Sequence, residues 1–126
     1  KMNNELNPVG WFEIPTIDMA RAKQFYESVF EIQMELHNLD GLEMAWFPMI
    51  ENAMGATGSL VKEPSYKVSD CGIVIYFTAP DINATLGRVK QNGGEVLQEK
   101  TPIGEYGFIA YIKDSEGNRI GLHSRE

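Results

Sequence analysis

Two side chains of this sequence could transfer protons, and both occur in segments that are otherwise apolar. Glu13 is the one carboxylate in the run Gly10–Pro15. We expect it to be partly desolvated, which raises a carboxyl pKa and can make the group a general base. His123 is the second candidate, because imidazole titrates near neutral pH. Both also have a competing structural interpretation, in which Glu13 pairs with Lys100, Arg119 or a backbone amide and His123 is hydrogen-bonded to backbone.

Four further residues could hold a substrate near such a base. The phenols of Tyr76 and Tyr106 could donate hydrogen bonds to a carbonyl or a phenol, and Trp11 could supply an aromatic wall. Arg119 is a cation on the last apolar segment. Packing in the core with a satisfied hydroxyl is the competing interpretation of both tyrosines.

These residues lie on elements that occur twice along the chain. Asp18 is a good helix N-cap and precedes an apolar stripe at helical spacing, which predicts a helix over Met19–Phe30. Asp81 caps a second helix, whose stripe is Ile82, Thr85, Leu86 and Val89 and which ends at Asn92-Gly93-Gly94. The two caps lie 63 residues apart, half the chain length. The offset that aligns the caps also aligns the strands before them.

Short strands complete each half. One strand precedes each helix and three follow it, at about Gly10–Pro15, Gln33–His37, Leu42–Pro48, Ala56–Val61, Gly72–Ala79, Glu95–Lys100, Tyr106–Lys113 and Asn118–Ser124. The order is βαβββ twice, which predicts an α+β protein with helices on one face of a mixed sheet. We expect a single domain over 1–126, with modules at about 9–61 and 71–124 joined by a linker over 62–70.

Side chains alternate along a strand, so each strand has one face for the helices and one for the opposite side. The apolar face packs on the helices and comprises Phe12, Ile14, Ile73, Ile75, Phe77, Ile120 and Leu122. The other face should border an open cavity and comprises Trp11, Glu13, Pro15, Val74, Tyr76, Thr78, Arg119, Gly121 and His123. The glycine-punctuated loop Pro102–Gly107 could be a lid over this cavity or a plain connection.

Two motifs are similar to those of a known family. The segment Ile17–Tyr26, "IDMARAKQFY", resembles the first-helix signature of the glyoxalase/bleomycin-resistance/dioxygenase (vicinal oxygen chelate) superfamily. The segment Asp114–Ile120, "DSEGNRI", resembles its last hairpin, and Thr101–Ser124 is similar to a bacterial subgroup of glyoxalase-related proteins of unknown activity. The resemblance spans about 9–124. It implies a U-shaped sheet around a cavity with the helices outside, and a homodimer.

The resemblance also implies where a catalytic metal would bind. Metal-dependent relatives take ligands from the first, fifth and last strands, and the matching positions here are Trp11, Val74 and Gly121. None of these offers a usable ligand, and Glu13 with His123 would be too few for a tight zinc site. We therefore expect no metal and no other cofactor.

Three functions remain open at this point. The first is a metal-independent lyase or isomerase acting on a compact organic substrate, with Glu13 as the base and with His123 and Tyr76 orienting the substrate. The second is a non-catalytic protein that sequesters a ligand, as the resemblance to bleomycin-resistance proteins implies. The net charge of −7 mildly suits a cationic ligand. The third is a scaffold whose cavity is filled.

Composition excludes several partners. The 11 basic residues are scattered among 18 acidic ones, so neither nucleic acid nor an anionic membrane surface is expected as a partner. No apolar run approaches the roughly 18 residues of a spanning helix.

Cys71 is the only cysteine, which fits a reducing, cytoplasmic location, and we expect it to be buried at the start of a strand. Lys1–Pro8 lacks the apolar stretch of a secretory signal, and Met2 is the expected native start.

Overall fold

Each half of the chain forms one helix and four strands. The computed structural model describes residues 6–126, so the expected start at Met2 lies outside the described residues. The first half contains β1 (Phe12–Pro15), α1 (Met19–Phe30), β2 (Glu35–Leu39), β3 (Leu42–Trp46) and β4 (Gly58–Lys62). The second contains β5 (Ile75–Thr78), α2 (Ile82–Val89), β6 (Glu95–Pro102), β7 (Phe108–Lys113) and β8 (Arg119–Ser124). Short 3₁₀ turns occupy Lys90–Asn92 and Gly104–Tyr106.

Both modules build the same four-stranded mixed sheet. The strand orders are β1-β4-β3-β2 and β5-β8-β7-β6. In each sheet the strand before the helix pairs in parallel with the last strand, and the other pairs are antiparallel. The predicted α+β architecture of two βαβββ modules is confirmed. Each module closes its own hydrogen-bonded sheet, and side chains of β1 and β5 meet where Phe12 and Phe77 have ring centroids 5.8 Å apart.

The two helices begin where the caps predict. The Asp18 carboxylate accepts a hydrogen bond from the Arg21 amide at 3.0 Å, and Asp81 accepts one from the Ala84 amide at 3.1 Å. Such caps satisfy amides that the first helical turn leaves without partners. The helices also contact each other, since Arg88 Nε donates to the carbonyl of the α1 residue Val29 at 2.7 Å.

Aromatic rings from both modules form one core beneath the helices. Phe77 of β5 stacks on Phe30 of α1 with centroids 4.7 Å apart, and Tyr26 and Phe47 pack around them. This confirms that Phe77 faces the helices, as strand alternation predicts. Ile120 and Leu122 are also buried, as expected for the helix-facing side of β8.

Two expectations about the start of β5 are wrong. Ile73 was expected against a helix, but its side chain is 90% exposed. Cys71 was expected to be buried, and it is exposed. The reason is the same for both residues: β5 begins only at Ile75, and Gly72 turns the chain just before it with a φ of 90°. Without strand pairing, the alternation rule does not apply to these positions.

The β7–β8 turn joins the second module to the first. The carboxylate of Glu116 accepts hydrogen bonds from the backbone amides of Ile17 and Asp18 at 2.8 and 2.7 Å, at the start of α1. Asn118 Nδ2 donates to the carbonyl of Pro15 at the end of β1. The β7–β8 turn of the second module therefore holds the end of β1 and the start of α1 in the first module. None of the described helices has the length and apolarity to cross a membrane.

Candidate functional site

A cavity of about 610 Å³ lies at the seam between the two modules. Its walls come from the start of β1, the end of α1, most of β5 and the long loop between β3 and β4. The lining residues are Gly10, Trp11, Phe12, Phe30, Ile32, Phe47, Pro48, Met49, Ile50, Ala53, Met54, Gly55, Ala56, Thr57, Ile75, Tyr76, Phe77 and Thr78. This volume lies within the range typical of small-molecule sites, roughly 300–1,000 Å³.

The walls of this cavity are apolar and aromatic. Among the described residues that line it, none carries a charged side chain. Its polar side-chain groups are the hydroxyls of Thr57, Thr78 and Tyr76 and the indole N–H of Trp11. A charged group entering such a site would lose its hydration without gaining an opposite charge. The lining therefore favours an uncharged ligand.

The β3–β4 loop forms the outer wall of the cavity. Met49, Ile50 and Met54 are 65%, 73% and 98% exposed although all three are apolar. The base of the loop is closed by a hydrogen bond from the Thr57 hydroxyl to the carbonyl of Pro48 at 2.7 Å. Flexible methionine side chains adapt to ligands of different shape. The wall can therefore adjust to its occupant while its base stays fixed.

Tyr76 is held over the middle of the second sheet. It pairs with Gly121 in the register of β5 and β8, and a Cβ at position 121 would lie 2.5 Å from the Tyr76 ring. The missing side chain thus makes room for the ring. The Tyr76 hydroxyl contacts that of Tyr111 on β7. This hydrogen bond raises the Tyr76 pKa, burial adds to the rise, and the positive charge of Arg119 opposes it.

Glu13 is exposed, so the expectation of a partly desolvated carboxyl group is wrong. Strand alternation does place it opposite the buried Ile14, but that face of β1 is open to solvent there. Its partner is Tyr66 of the inter-module linker, which sequence reasoning missed. The hydrogen bond to Glu13 raises the Tyr66 pKa, and the negative charge of Glu13 adds to the effect. The expected partners Lys100 and Arg119 lie elsewhere, since each stacks on a different aromatic ring.

His123 and Tyr106 form a pair of their own. Nε2 of His123 lies 2.8 Å from the carbonyl oxygen of Tyr106, which matches the backbone-bonded interpretation of this histidine. The Tyr106 side chain is 65% exposed in the 3₁₀ turn between β6 and β7. Of the six predicted site residues, the cavity brings together Trp11 and Tyr76. Glu13, Tyr106, Arg119 and His123 are not among its lining residues.

The positions at which the family resemblance implies metal ligands do not fit a metal. Trp11 and Val74 carry an indole and an isopropyl group, neither of which ligates metal ions. Gly121 has no side chain, and the Tyr76 ring occupies the space above it. Among the described residues, no three His, Cys, Asp or Glu side chains cluster as a metal site would require.

Trp46 supports the rim of the cavity from the first sheet. Its ring meets Trp11 edge-on with centroids 5.7 Å apart, and His37 stacks on its face at 3.8 Å. His37 is half-buried at this edge. The indole N–H of Trp46 and the hydroxyl of Ser59 are buried without a hydrogen-bond partner among the described residues. No sequence motif marks this group, since its members come from β2, β3, β4 and the segment just before β1.

Comparison with known proteins places these features in a family. Residues 9–122 match the family model described as "Glyoxalase/Bleomycin resistance protein/Dioxygenase superfamily". The mycobacterial protein CFP32 of Mycobacterium bovis, named as a candidate glyoxylase, is 25% identical over 113 residues. That match covers 89% of this chain and 43% of the relative, so the chain spans less than half the length of CFP32.

Solved structures share the fold at low sequence identity. A glyoxylase/bleomycin resistance protein/dioxygenase domain from Frankia sp. superposes with a TM-score of 0.74 at 12% identity, covering 96% of this chain and 99% of that one. Glyoxalase I from Zea mays superposes with a TM-score of 0.68 at 18% identity, covering 94% of this chain and 46% of that one. At these identities the likeness establishes the architecture alone.

Proposed function

Because this chain belongs to the glyoxalase/bleomycin resistance protein/dioxygenase superfamily, we propose that it binds a small, uncharged and largely apolar organic molecule in the cavity between β1 and β5. The observation that carries this proposal is the lining: aromatic rings and methionines with no charged side chain among the described lining residues. Trp11 and Tyr76 flank the ligand with flat apolar surfaces, and their N–H and O–H groups are its hydrogen-bond donors. This function is closer to ligand sequestration than to acid–base catalysis.

The lining of the cavity and the net charge of the protein favour different ligands, a neutral one and a cationic one. The chain carries −7 overall, which would attract a cation to the protein surface. Entry into a cavity without carboxylates nevertheless removes much of the cation's hydration, and cation–π contact with the aromatic rings offsets only part of that loss. Local lining therefore outweighs long-range attraction, and a neutral ligand should bind better than its cationic counterpart.

A titration with two matched aromatic probes tests this directly. Neutral 2-naphthalenemethanol and cationic 2-naphthylmethylammonium have the same ring system and differ in charge. We expect the neutral probe to bind at least about tenfold more tightly, a difference of about 1.4 kcal/mol. Tryptophan fluorescence should report binding, because Trp11 lines the cavity. Tighter binding of the cation would contradict the proposal.

Metal-independent lyase or isomerase chemistry at Glu13 is a second proposal, and one contact favours it. The Tyr66 phenol donates to the Glu13 carboxylate, so an accessible proton acceptor faces the open side of β1. If Glu13 is the base, Glu13→Gln should abolish turnover of any substrate identified by screening. Turnover that survives this substitution would remove Glu13 from the mechanism. Glu43→Gln is a matched control on β3.

We also propose that the protein forms a homodimer. The strands β2 and β6 are the outer edges of the two sheets, and β2 exposes two leucines: Leu36 is 62% and Leu39 52% exposed. Unpaired edges with apolar side chains favour association. Sedimentation equilibrium should give twice the chain mass of 14.2 kDa. A monomer at high protein concentration would refute this.

A further inference from the structure

A second hollow, of about 340 Å³, lies on the second sheet and differs in character from the cavity. It is lined by Asp70, Leu97, Gln98, Tyr111, Lys113 and Arg119. Two of these six side chains are cations and one is an anion. The Tyr111 hydroxyl contacts that of Tyr76, which lines the larger cavity, so the two spaces are neighbours.

Arg119 is held in place at this hollow without a carboxylate partner. Its guanidinium carbon lies 4.5 Å from the centre of the Tyr111 ring, a cation–π contact that fixes the plane of the group. Within residues 6–126, no carboxylate oxygen lies within ion-pair distance of Arg119. The planar N–H fork of an arginine matches a carboxylate in a bidentate arrangement. Stacking on Tyr111 thus holds the Arg119 guanidinium in a fixed orientation in which it can bind a carboxylate.

Lys113 adds a second cation beside the first. It pairs with Arg119 in the register of β7 and β8, so both side chains leave the sheet on the same face. Asp70 lies 3.8 Å from the Lys113 ammonium, beyond hydrogen-bond distance, and is well exposed. The hollow therefore carries one net positive charge, in a chain whose overall charge is −7. One net positive charge suits a single negative charge better than a double one.

We propose that this hollow binds the carboxylate of an organic acid, with Arg119 as the principal ligand and Lys113 as the second. The Tyr111 hydroxyl and the amide of Gln98 border the same space and supply further donors. This site is separate from the apolar cavity and does not rest on the function proposed for it. Phosphate shares the chemistry of an oxyanion, but its second charge would be unmatched.

An NMR titration with benzoate at constant ionic strength tests the site. The backbone amide signals of Leu97, Gln98, Tyr111, Lys113 and Arg119 should shift as benzoate is added. Arg119→Gln should weaken benzoate binding at least about tenfold, because it removes a bidentate charge-assisted contact. Lys100→Gln is the matched control: it makes the same charge change, and Lys100 also stacks on a ring, Phe108, at 4.5 Å, outside the hollow. It should change the affinity less than about twofold.

A variant that is expected to bind benzoate more tightly separates loss of the site from loss of folding, because a misfolded protein would not gain affinity. Asp70→Asn removes the anion that competes for Lys113, so benzoate binding should tighten by about two- to fivefold. Inorganic phosphate serves as the other oxyanion and should bind more weakly than benzoate. Equal affinities of Arg119→Gln and Lys100→Gln, weaker binding by Asp70→Asn, or tighter binding of phosphate would each overturn the proposal. Benzoate binding here, with no binding of 2-naphthalenemethanol, would refute only the function proposed for the larger cavity.

Discussion

Removing the carboxylate of Glu116 should destabilise the protein more than any surface substitution. This side chain is fully buried, yet it receives hydrogen bonds from both modules: the amides of Ile17 and Asp18, the guanidinium of Arg21 and the hydroxyl of Ser115. It therefore links the β7–β8 turn to the start of α1. Glu116→Ala would leave two backbone amides without an acceptor at that helix end.

The size of the effect follows from these contacts. A hydrogen bond to a charged acceptor contributes about 1.5–3 kcal/mol, so the two amides together account for about 3 kcal/mol. The ion pair with Arg21 adds less than about 1 kcal/mol, because half of the arginine side chain is exposed. We expect Glu116→Ala to cost about 3–4 kcal/mol. Glu116→Gln keeps an acceptor oxygen and should cost about 1–2 kcal/mol.

The pH dependence gives a second readout for Glu116. Burial by itself raises its pKa, but the hydrogen bonds from Arg21 and from the amides of Asp18 and Ile17 outweigh burial, so the pKa lies below the ordinary carboxyl value of 4.5. A depressed carboxyl pKa stabilises the fold fully above the unfolded value, and this stabilisation is lost as pH falls through the folded value. The stability difference between wild type and Glu116→Gln should therefore shrink below about pH 4.5.

Urea denaturation from pH 7 to pH 3 measures both effects. Glu105→Ala removes an exposed glutamate from a turn of the same module and should change stability by less than about 0.5 kcal/mol. A loss below about 1 kcal/mol in Glu116→Ala, or a constant difference for Glu116→Gln across the pH range, would refute the assigned role.

Three further substitutions probe the fold and the cavity. Gly121→Ala places a Cβ 2.5 Å from the Tyr76 ring and should displace it, at a cost of about 1 kcal/mol; ultraviolet titration should then show the raised Tyr76 pKa falling towards 10.0. Tyr26→Phe removes a buried hydroxyl that donates to Asp114 at 2.7 Å and should lower unfolding free energy by about 1–2 kcal/mol in urea. Asp81→Ala removes the α2 cap and should cost about 1 kcal/mol in the same assay. Unchanged titration or unchanged stability would contradict the corresponding contact.

The sequence predicts the elements well because their signals are local. The caps Asp18 and Asp81 and the apolar stripes after them define both helices, and alternation identifies Phe77 as core. The predictions are wrong where an apolar run in the sequence is longer than the strand that forms. Ile73 belongs to an apolar run, but Gly72 turns the chain and leaves Ile73 outside the ladder.

The site was harder to predict because its walls come from separated segments. Alternation assigns Trp11 and Tyr76 to the open face, and both line the cavity. Phe12, Ile75 and Phe77, which alternation assigns to the helix side, line it as well, because the cavity lies at the seam between the modules and not over one face of a sheet. Alternation gives a side but not a degree of exposure, so it could not show that Glu13 is open to solvent. The role of Glu116 could not be predicted for a similar reason, since the amides at the start of α1 that donate hydrogen bonds to it lie almost a hundred residues away.

Calorimetric titration of a cavity-filling variant tests the central claim most directly. Thr78→Phe places a ring in the cavity, whereas Thr101→Phe makes the same change in the same cross-strand row of the sheet, at its far edge and outside the cavity. We expect 2-naphthalenemethanol to bind wild type and Thr101→Phe alike, and Thr78→Phe at least about tenfold more weakly, a loss of about 1.4 kcal/mol. Equal binding by all three proteins would show that the ligand occupies another place.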